Sequence, residues 1–197
     1  MNVTSANRPL SRSEMEGNAE VIASVFLANG WSKNAIAAML GNMESESGIN
    51  PGAYESYDST STINGFGLVQ WTPNTKYKTW ADENGYNDYG DLFAQTIRIR
   101  YELENDLQWI ATDAYPLSFK AFSTSTQTPE YLAQAFLYNY ERPASLDQPN
   151  RSTQAREWYE FIQGVSGESP DTPTPTPSTG KSELSKLLLY FAGTRRR

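Results

Sequence analysis

The sequence predicts an α+β fold: a mostly helical domain with a small β-hairpin region, followed by a Pro/Thr-rich linker and a short C-terminal helix. Three observations predict it. Apolar residues recur at helical spacing through most of residues 13–164. Residues 53–80 are instead rich in Gly, Ser, Thr and aromatics, and Gly65-Phe-Gly-Leu-Val-Gln-Trp71 reads as a strand of a hairpin. Beyond Gly164 the repeated Thr-Pro pairs favour extended polyproline II over any core.

In chain order, residues 1–12 are polar and read as a flexible arm, ahead of a domain spanning 13–164. A first helix over 18–28 carries Val21, Ile22 and Val25 and stops at Asn29-Gly30. Ser32 reads as the N-cap of a second helix, with Trp31 placed to staple onto Ile36. Ile36, Met39, Leu40 and Met43 form its apolar stripe, and Gly48 with Asn50-Pro51-Gly52 ends it. A helix from about Asp91 to Ile110 carries Leu92, Thr96, Ile99, Leu103 and Leu107. Thr128-Pro129-Glu130 is a cap followed by Pro in the first turn, opening a helix that stops near Pro143. A last helix over 152–162 turns Ala155, Trp158, Tyr159 and Ile162 inward, and Trp80, Trp109 and Trp158 read as core. Residues 165–180 read as a semi-rigid spacer. Residues 181–197 form a basic tail in which Leu184, Leu187, Leu188 and Phe191 follow Ser182 at helical spacing. A helix so short is marginal alone, so the tail is either frayed or a docking peptide that folds on a partner.

Composition narrows the chemistry. The 197 residues are 38% hydrophobic and 20% charged, enough for one domain with a real core plus a tail. The chain has no Cys and no His. That excludes disulfides, thiolate nucleophiles, Ser-His-Asp triads and His or Cys metal sites. Acid–base chemistry must then use carboxylates, Lys, Tyr or the termini, and no metal or cofactor is expected. A net charge of −7 argues against nucleic acid as a partner. No apolar run reaches a membrane span, and the first residues lack the pattern of a signal peptide.

Three segments carry candidate chemistry. In Gly41-Asn-Met-Glu-Ser-Glu-Ser-Gly48, Glu44 and Glu46 lie in the last turn of a buried helix. At about 100° per residue, each lies roughly 80° from the centre of the apolar stripe, on opposite flanks. Spacing does not choose between them, although it sets Glu46 beside Met39 and Met43. Apolar neighbours and the negative end of a helix dipole both disfavour a charged carboxylate, as a general acid requires. In Gly65-Phe-Gly-Leu-Val-Gln-Trp-Thr-Pro73, glycines such as Gly67 permit close backbone approach. Gln70 offers a donor and an acceptor, and Trp71 a flat face, a set that suits a sugar. The alternative is a twisted hairpin around a core tryptophan. In Leu137-Tyr-Asn-Tyr-Glu-Arg-Pro143, a helix end presents Asn139, Tyr140, Glu141 and Arg142 to a cleft, or else Glu141 and Arg142 form a buried ion pair or a cap. The acidic stretch 82–91 lacks the glycine and final glutamate of a calcium loop and reads as a polar turn.

These segments, in this order, together with Gln154-Ala-Arg-Glu-Trp-Tyr159, resemble the phage tail lysozyme family, the lysozyme-like domain of tail proteins of bacteriophages that infect Gram-positive bacteria. The resemblance covers about residues 13–164, and the block Asn29–Gly52 is its most specific part. It implies a lysozyme-like fold and peptidoglycan cleavage at the β-1,4 bond between N-acetylmuramic acid and N-acetylglucosamine. The general acid it implies is the glutamate before Ser-Gly at the helix end, here Glu46. It further implies a Gly-Leu-x-Gln segment beside the cleft, matched by Gly67, Leu68 and Gln70, and a cleft tyrosine matched by Tyr140. Glycoside cleavage also needs a means to stabilise an oxocarbenium-like state. Glu55 and Asp58, between the first two motifs, are the candidates for a second carboxylate. Without one, the substrate's N-acetyl group assists, or its 6-hydroxyl does, the latter defining a lytic transglycosylase.

The same resemblance implies a virion tail-tip protein that acts on the host wall, with other tail proteins as partners through residues 181–197. A free lysis enzyme and a non-catalytic tail or wall-binding module are the competing readings. Relatives can carry a zinc peptidase domain after the lysozyme domain. Here the spacer leads to a short tail without His or Cys, so that activity is expected to be absent.

Overall fold

The computed structural model describes residues 2–167; most of the expected linker and all of the C-terminal tail lie outside them. Helix α1 (Arg12–Ala28) begins at Ser11, whose side chain caps Glu14 while Glu14 reaches back to the Ser11 N–H. Helix α2 (Lys33–Ser47) is capped by Ser32, as its sequence predicts, and ends at Gly48 in the left-handed conformation (φ 65°). Residues from Ala35 to Met43 are all buried, Asn42 included, so this part of α2 is enclosed all round rather than along one stripe. It runs through the middle of the domain and packs on α1, on α5 (Phe119–Ser123), on α6 (Pro129–Phe136) and on α7 (Asn150–Phe161). Gly41 permits the closest of these approaches. A Cβ there would lie 2.6 Å from Ala155 N and 2.7 Å from Arg151 O. No helix among the described residues is long and apolar enough to cross a membrane.

The hairpin expectation is corrected. No strand occurs among the described residues; Tyr54 and Phe66 form a single isolated antiparallel bridge. The reason is local. Gly67 (φ 80°) and Gln70 (φ 47°) are both left-handed and fold the segment on itself, with Gln70 N donating to Gly67 O and Trp71 N to Phe66 O. Gly67 N still donates to Ala53 O beside that bridge, but the N–H groups of Leu68, Gln70 and Trp71 are taken up elsewhere, so no ladder continues. Buried Gln95 locks this turn: it accepts from Leu68 N and donates to Pro51 O and Tyr89 O. Within the same region, Thr75–Glu83 forms helix α3, which the aromatic-rich composition concealed.

Other boundaries shift. Helix α4 spans Leu92–Glu104, capped by Asp91, and stops short of Ile110 because Asn105 ends it and Asp106 and Gln108 take positive φ. The helix opened by Thr128 and Pro129 passes at Leu137–Glu141 into a π-helical turn that ends at left-handed Arg142. The arm expected to be flexible is tied down: Asn18 bonds both the N–H and C=O of Thr4, and Asn50 holds Ala6 and Arg8. Trp31 packs on Phe26, Phe119 and Phe122, and Trp80 and Trp158 are buried.

Candidate active site

A cleft of about 620 Å³ opens between the end of α2, the 66–71 turn and the π-helical turn after α6. Glu46, Gln70, Trp71 and Tyr140 all line it, so residues from three distant motifs converge. A smaller groove of about 350 Å³ continues from it, sharing Glu46, Glu55 and Gln70 and reaching Glu44, Tyr54 and Tyr57.

Tertiary contacts separate the two helix-end glutamates. Glu44 accepts from Trp158 Nε1 at 2.7 Å and lies 3.9 Å from an Arg12 guanidinium nitrogen. Glu46 lines both cavities and accepts from Arg151 Nη2 at 2.6 Å, with its side chain 19% exposed. The apolar surroundings expected for Glu46 are therefore replaced on one side by a guanidinium. Arg151 is itself fixed: Nη1 donates to Asn42 Oδ1 at 3.0 Å, and Nε to Gln148 Oε1 at 2.7 Å.

Trp71 and Tyr140 are held from behind by Glu102, buried on α4. It accepts from Trp71 Nε1 and Arg98 Nε, each at 2.9 Å, and from the Tyr140 hydroxyl. Burial raises the Glu102 pKa, and the Tyr140 hydroxyl, the Arg98 charge and Trp71 oppose that shift. Burial, then the Glu102 charge, pushes the Tyr140 phenol well above its usual value. Trp71 and Tyr140 are nearly inaccessible, and each is stacked on a core ring: Trp71 on Tyr77 at 4.8 Å, Tyr140 on Phe136 at 4.4 Å. Their bodies form the cleft floor. Gln70 is half-buried, and its amide donates to Ala53 O and Gly67 O, which leaves its side-chain oxygen as the free polar atom.

The other sequence candidates separate. Gly67 faces Gln95, whose Oε1 a Cβ would meet at 2.6 Å, so its openness serves internal packing. Glu55 lines both cavities while accepting from Gly65 N. Asp58 is exposed, bonds Thr60 through its N–H and hydroxyl, and lines neither cavity; the Thr60 bonds lower its pKa. Asn139 braces the loop through Thr112 and Tyr115 instead of facing the cleft. Arg142 caps the turn by donating to the carbonyls of Gln108 and Asn139. In the 82–91 stretch, Asp91 caps α4, Asp82 accepts from the Tyr89 hydroxyl and Asp88 from Gly90 N. Among the described residues no group of three or more acidic side chains is placed to hold a metal.

Arg151, Glu102 and Gln95 were not identified from sequence as site residues. The available signal was weak: a charged or amide residue standing at a position whose helical neighbours are core, as Glu102 does behind Ile99.

The family profile described as phage tail lysozyme matches residues 17–162. The chain is also 48% identical over 161 residues to "Morphogenesis protein 1" of Bacillus phage B103. That alignment covers 81% of this chain and 43% of the relative, so the chain spans less than half of that protein's length.

Proposed function

The chain belongs to the phage tail lysozyme family, and from that premise we propose that it is a muramidase cleaving the β-1,4 bond between N-acetylmuramic acid and N-acetylglucosamine in peptidoglycan. The observation that carries this reading is the convergence of Glu46, Gln70, Trp71 and Tyr140 on one cleft of about 620 Å³. Glu46 is the general acid: it stands at the rim, partly exposed, where a glycosidic oxygen can reach its carboxyl group. Gln70 accepts hydrogen bonds from sugar hydroxyl or amide groups through its free side-chain oxygen, above a cleft floor backed by buried Trp71 and Tyr140. Glu55, on the same cleft, remains a candidate for the opposing carboxylate.

The test is Glu46→Gln assayed on purified Gram-positive walls. We expect a loss of at least about two to four orders of magnitude in rate with folding intact. A variant as lytic as the parent refutes the assignment. Mass spectrometry of the products separates hydrolysis, which leaves reducing ends, from transglycosylation, which leaves 1,6-anhydro ends.

The name of the Bacillus phage B103 relative, a morphogenesis protein, supports placing this chain in a virion tail, opening the host wall locally at entry. Proteomics of purified particles tests this: a virion component is present at fixed stoichiometry, a free lysis enzyme is absent. The basic segment 181–197, with its helical leucine spacing, is proposed to dock on another tail protein. Its deletion is then expected to lower incorporation without lowering enzymatic rate.

A further inference from the structure

The groove that continues from the cleft carries an aromatic side chain that the preceding reading leaves without a role. Tyr57 lines this groove and not the cleft itself, and it is 48% exposed. It stands outside the core cluster, and among the described residues no ring packs on it and no hydrogen bond takes its hydroxyl. The other aromatic side chains of the site are occupied. Trp71 and Tyr140 are buried and stacked on core rings, and Tyr54 packs on Phe66 at 4.6 Å while its hydroxyl accepts from Lys78 Nζ at 3.1 Å. One exposed aromatic on a protein surface is ordinary; one standing in a groove contiguous with a candidate active site is a platform for a ligand.

The backbone at Tyr57 is held against its own preference. Ser56 (φ 53°) and Tyr57 (φ 57°) are two successive left-handed residues with no glycine between them, a conformation that a bulky side chain rarely adopts. The N-terminal arm holds it there. Asn7 Oδ1 accepts from Tyr54 N at 3.1 Å and Asn7 Nδ2 donates to Tyr57 O at 2.9 Å, so one side chain spans both ends of the turn. Tyr57 N closes the turn by donating to Tyr54 O at 2.9 Å, and Glu55 ties its middle to Gly65 through both its N–H and its carboxylate. The arm is anchored in turn by Asn50, and its Pro9 and Leu10 line the same groove. Strain that the surroundings fix in place, at the edge of a cleft, is the kind of feature that function retains.

We propose that Tyr57 is the stacking platform of a further saccharide subsite, which takes a sugar of the glycan strand outside the pair that flanks the scissile bond. The proposal rests on the cleft being the muramidase site and states how that site extends. Continuity supports the occupant: the groove shares Glu46, Glu55 and Gln70 with the cleft, so a polymer that crosses Glu46 runs on into it. Chemistry supports it as well. A pyranose has an apolar C–H face for the Tyr57 ring and a rim of hydroxyls for the Gln70, Ser45 and Glu55 side chains that line the groove. The charged residues of that lining are Glu44, Glu46 and Glu55, all acidic, which favours a neutral sugar over a carboxylate-bearing peptide. Asn7 acts through Tyr57 and is a positioning residue, which makes the arm part of the substrate site.

The experiment measures kcat and KM of the full-length chain on peptide-free glycan strands of increasing length, with intact peptidoglycan alongside, and compares the parent with Tyr57→Gly, Tyr57→Phe and Asn7→Ala. We expect Tyr57→Gly to raise KM on long strands about tenfold, to leave kcat within about twofold, and to remove the gain that the parent draws from added sugars. Tyr57→Phe keeps the ring and is expected to stay within about threefold of the parent. Glycine adopts a φ of 57° freely, so the melting temperature of Tyr57→Gly is expected to stay at or above the parent's. Asn7→Ala is expected to raise KM in the parent and to add nothing in the Tyr57→Gly background. An unchanged KM on long strands in Tyr57→Gly overturns the proposal. So does a rise confined to intact peptidoglycan, which gives the groove to peptide, and so does a rise that comes with lost kcat and melting temperature, which makes the tyrosine structural. If Tyr57→Gly does not fold, NMR of the Tyr57 ring in Glu46→Gln decides: shifts on adding peptide-free strands support the subsite, and their absence overturns it. A parent that cleaves no glycan defeats the muramidase reading and the subsite with it. A muramidase whose KM ignores Tyr57 defeats the subsite alone, so the two failures are distinguishable.

Discussion

Arg151 donates to Glu46 across 105 positions of sequence, Nη2 to Oε1 at 2.6 Å, and so fastens α7 to the end of α2 at the candidate acid. The arginine is almost fully buried, and it also donates to Asn42 and Gln148. Replacing it by Met leaves Glu46 and Asn42 without that donor. We expect Arg151→Met to destabilise the domain by about 3 kcal/mol and to lower wall-clearing activity about tenfold or more. Arg151→Lys is expected to recover only part of either, since an ammonium cannot span three acceptors in a planar fork. Urea denaturation and a turbidity assay measure the two effects.

Glu102 supports the cleft floor from behind. Truncation to Ala removes the acceptor of Trp71, Arg98 and Tyr140 at once. The expected cost is about 3 kcal/mol in chemical denaturation, because a partly buried arginine and a buried phenol lose their partner together. Tyr140→Phe removes one of the three bonds and is expected to cost about 1 kcal/mol. Equal stability of Glu102→Ala and the parent would contradict the support role.

Gly41 sets the spacing between α2 and α7. A methyl group there meets Ala155 N at 2.6 Å and Arg151 O at 2.7 Å, both backbone atoms that cannot swing aside. Gly41→Ala is therefore expected to destabilise by about 2 kcal/mol despite alanine's higher helix propensity. Because it pushes Arg151 away from Glu46, activity in native buffer should fall as well. A thermal melt and a rate assay on one preparation check both.

The start of α1 titrates in the opposite sense to Glu141. Glu14 has its pKa lowered to about 2, chiefly by the Arg8 bond and then by the Ser11 N–H. A lowered folded-state pKa gives stability that is present above the ordinary value of 4.5 and is lost as pH falls toward 2. The melting temperature of Glu14→Gln is accordingly expected to fall less steeply than the parent's across that window, and to lie below it at neutral pH. Parallel melting curves across the window would refute the assignment.

Glu141 and Glu102 contribute with the other sign. Both have raised folded-state pKa values, so their stabilisation is full below the ordinary carboxylate range and is lost as pH rises through their folded values. Glu141→Gln is expected to flatten the decline of melting temperature on the alkaline side. Circular dichroism melts in steps of pH provide the measurement.

The sequence by itself determined the helices of the core and their caps. Ser32, Gly48 and Thr128-Pro129 act where their chemistry places them, because capping is a local contest for unpaired backbone groups. It also determined that any acid–base chemistry must use carboxylates, Lys, Tyr or the termini, since the chain has neither His nor Cys. The segment Gly65–Trp71 was misread as a strand because a composition rich in Gly, Ser, Thr and aromatics does not report the left-handed φ of Gly67 and Gln70. Helical spacing did not distinguish Glu46 from Glu44; the family resemblance singled out Glu46, and tertiary structure gives the two different partners. Helical periodicity sets both at equal angles from the core stripe, and Trp158 and Arg12 arrive at one while Arg151 arrives at the other. The same holds for Glu141 and Glu102, whose environments are assembled from α2, α4 and α7. Periodicity encodes which side of a helix is dry; which partner waits there depends on segments far away along the chain.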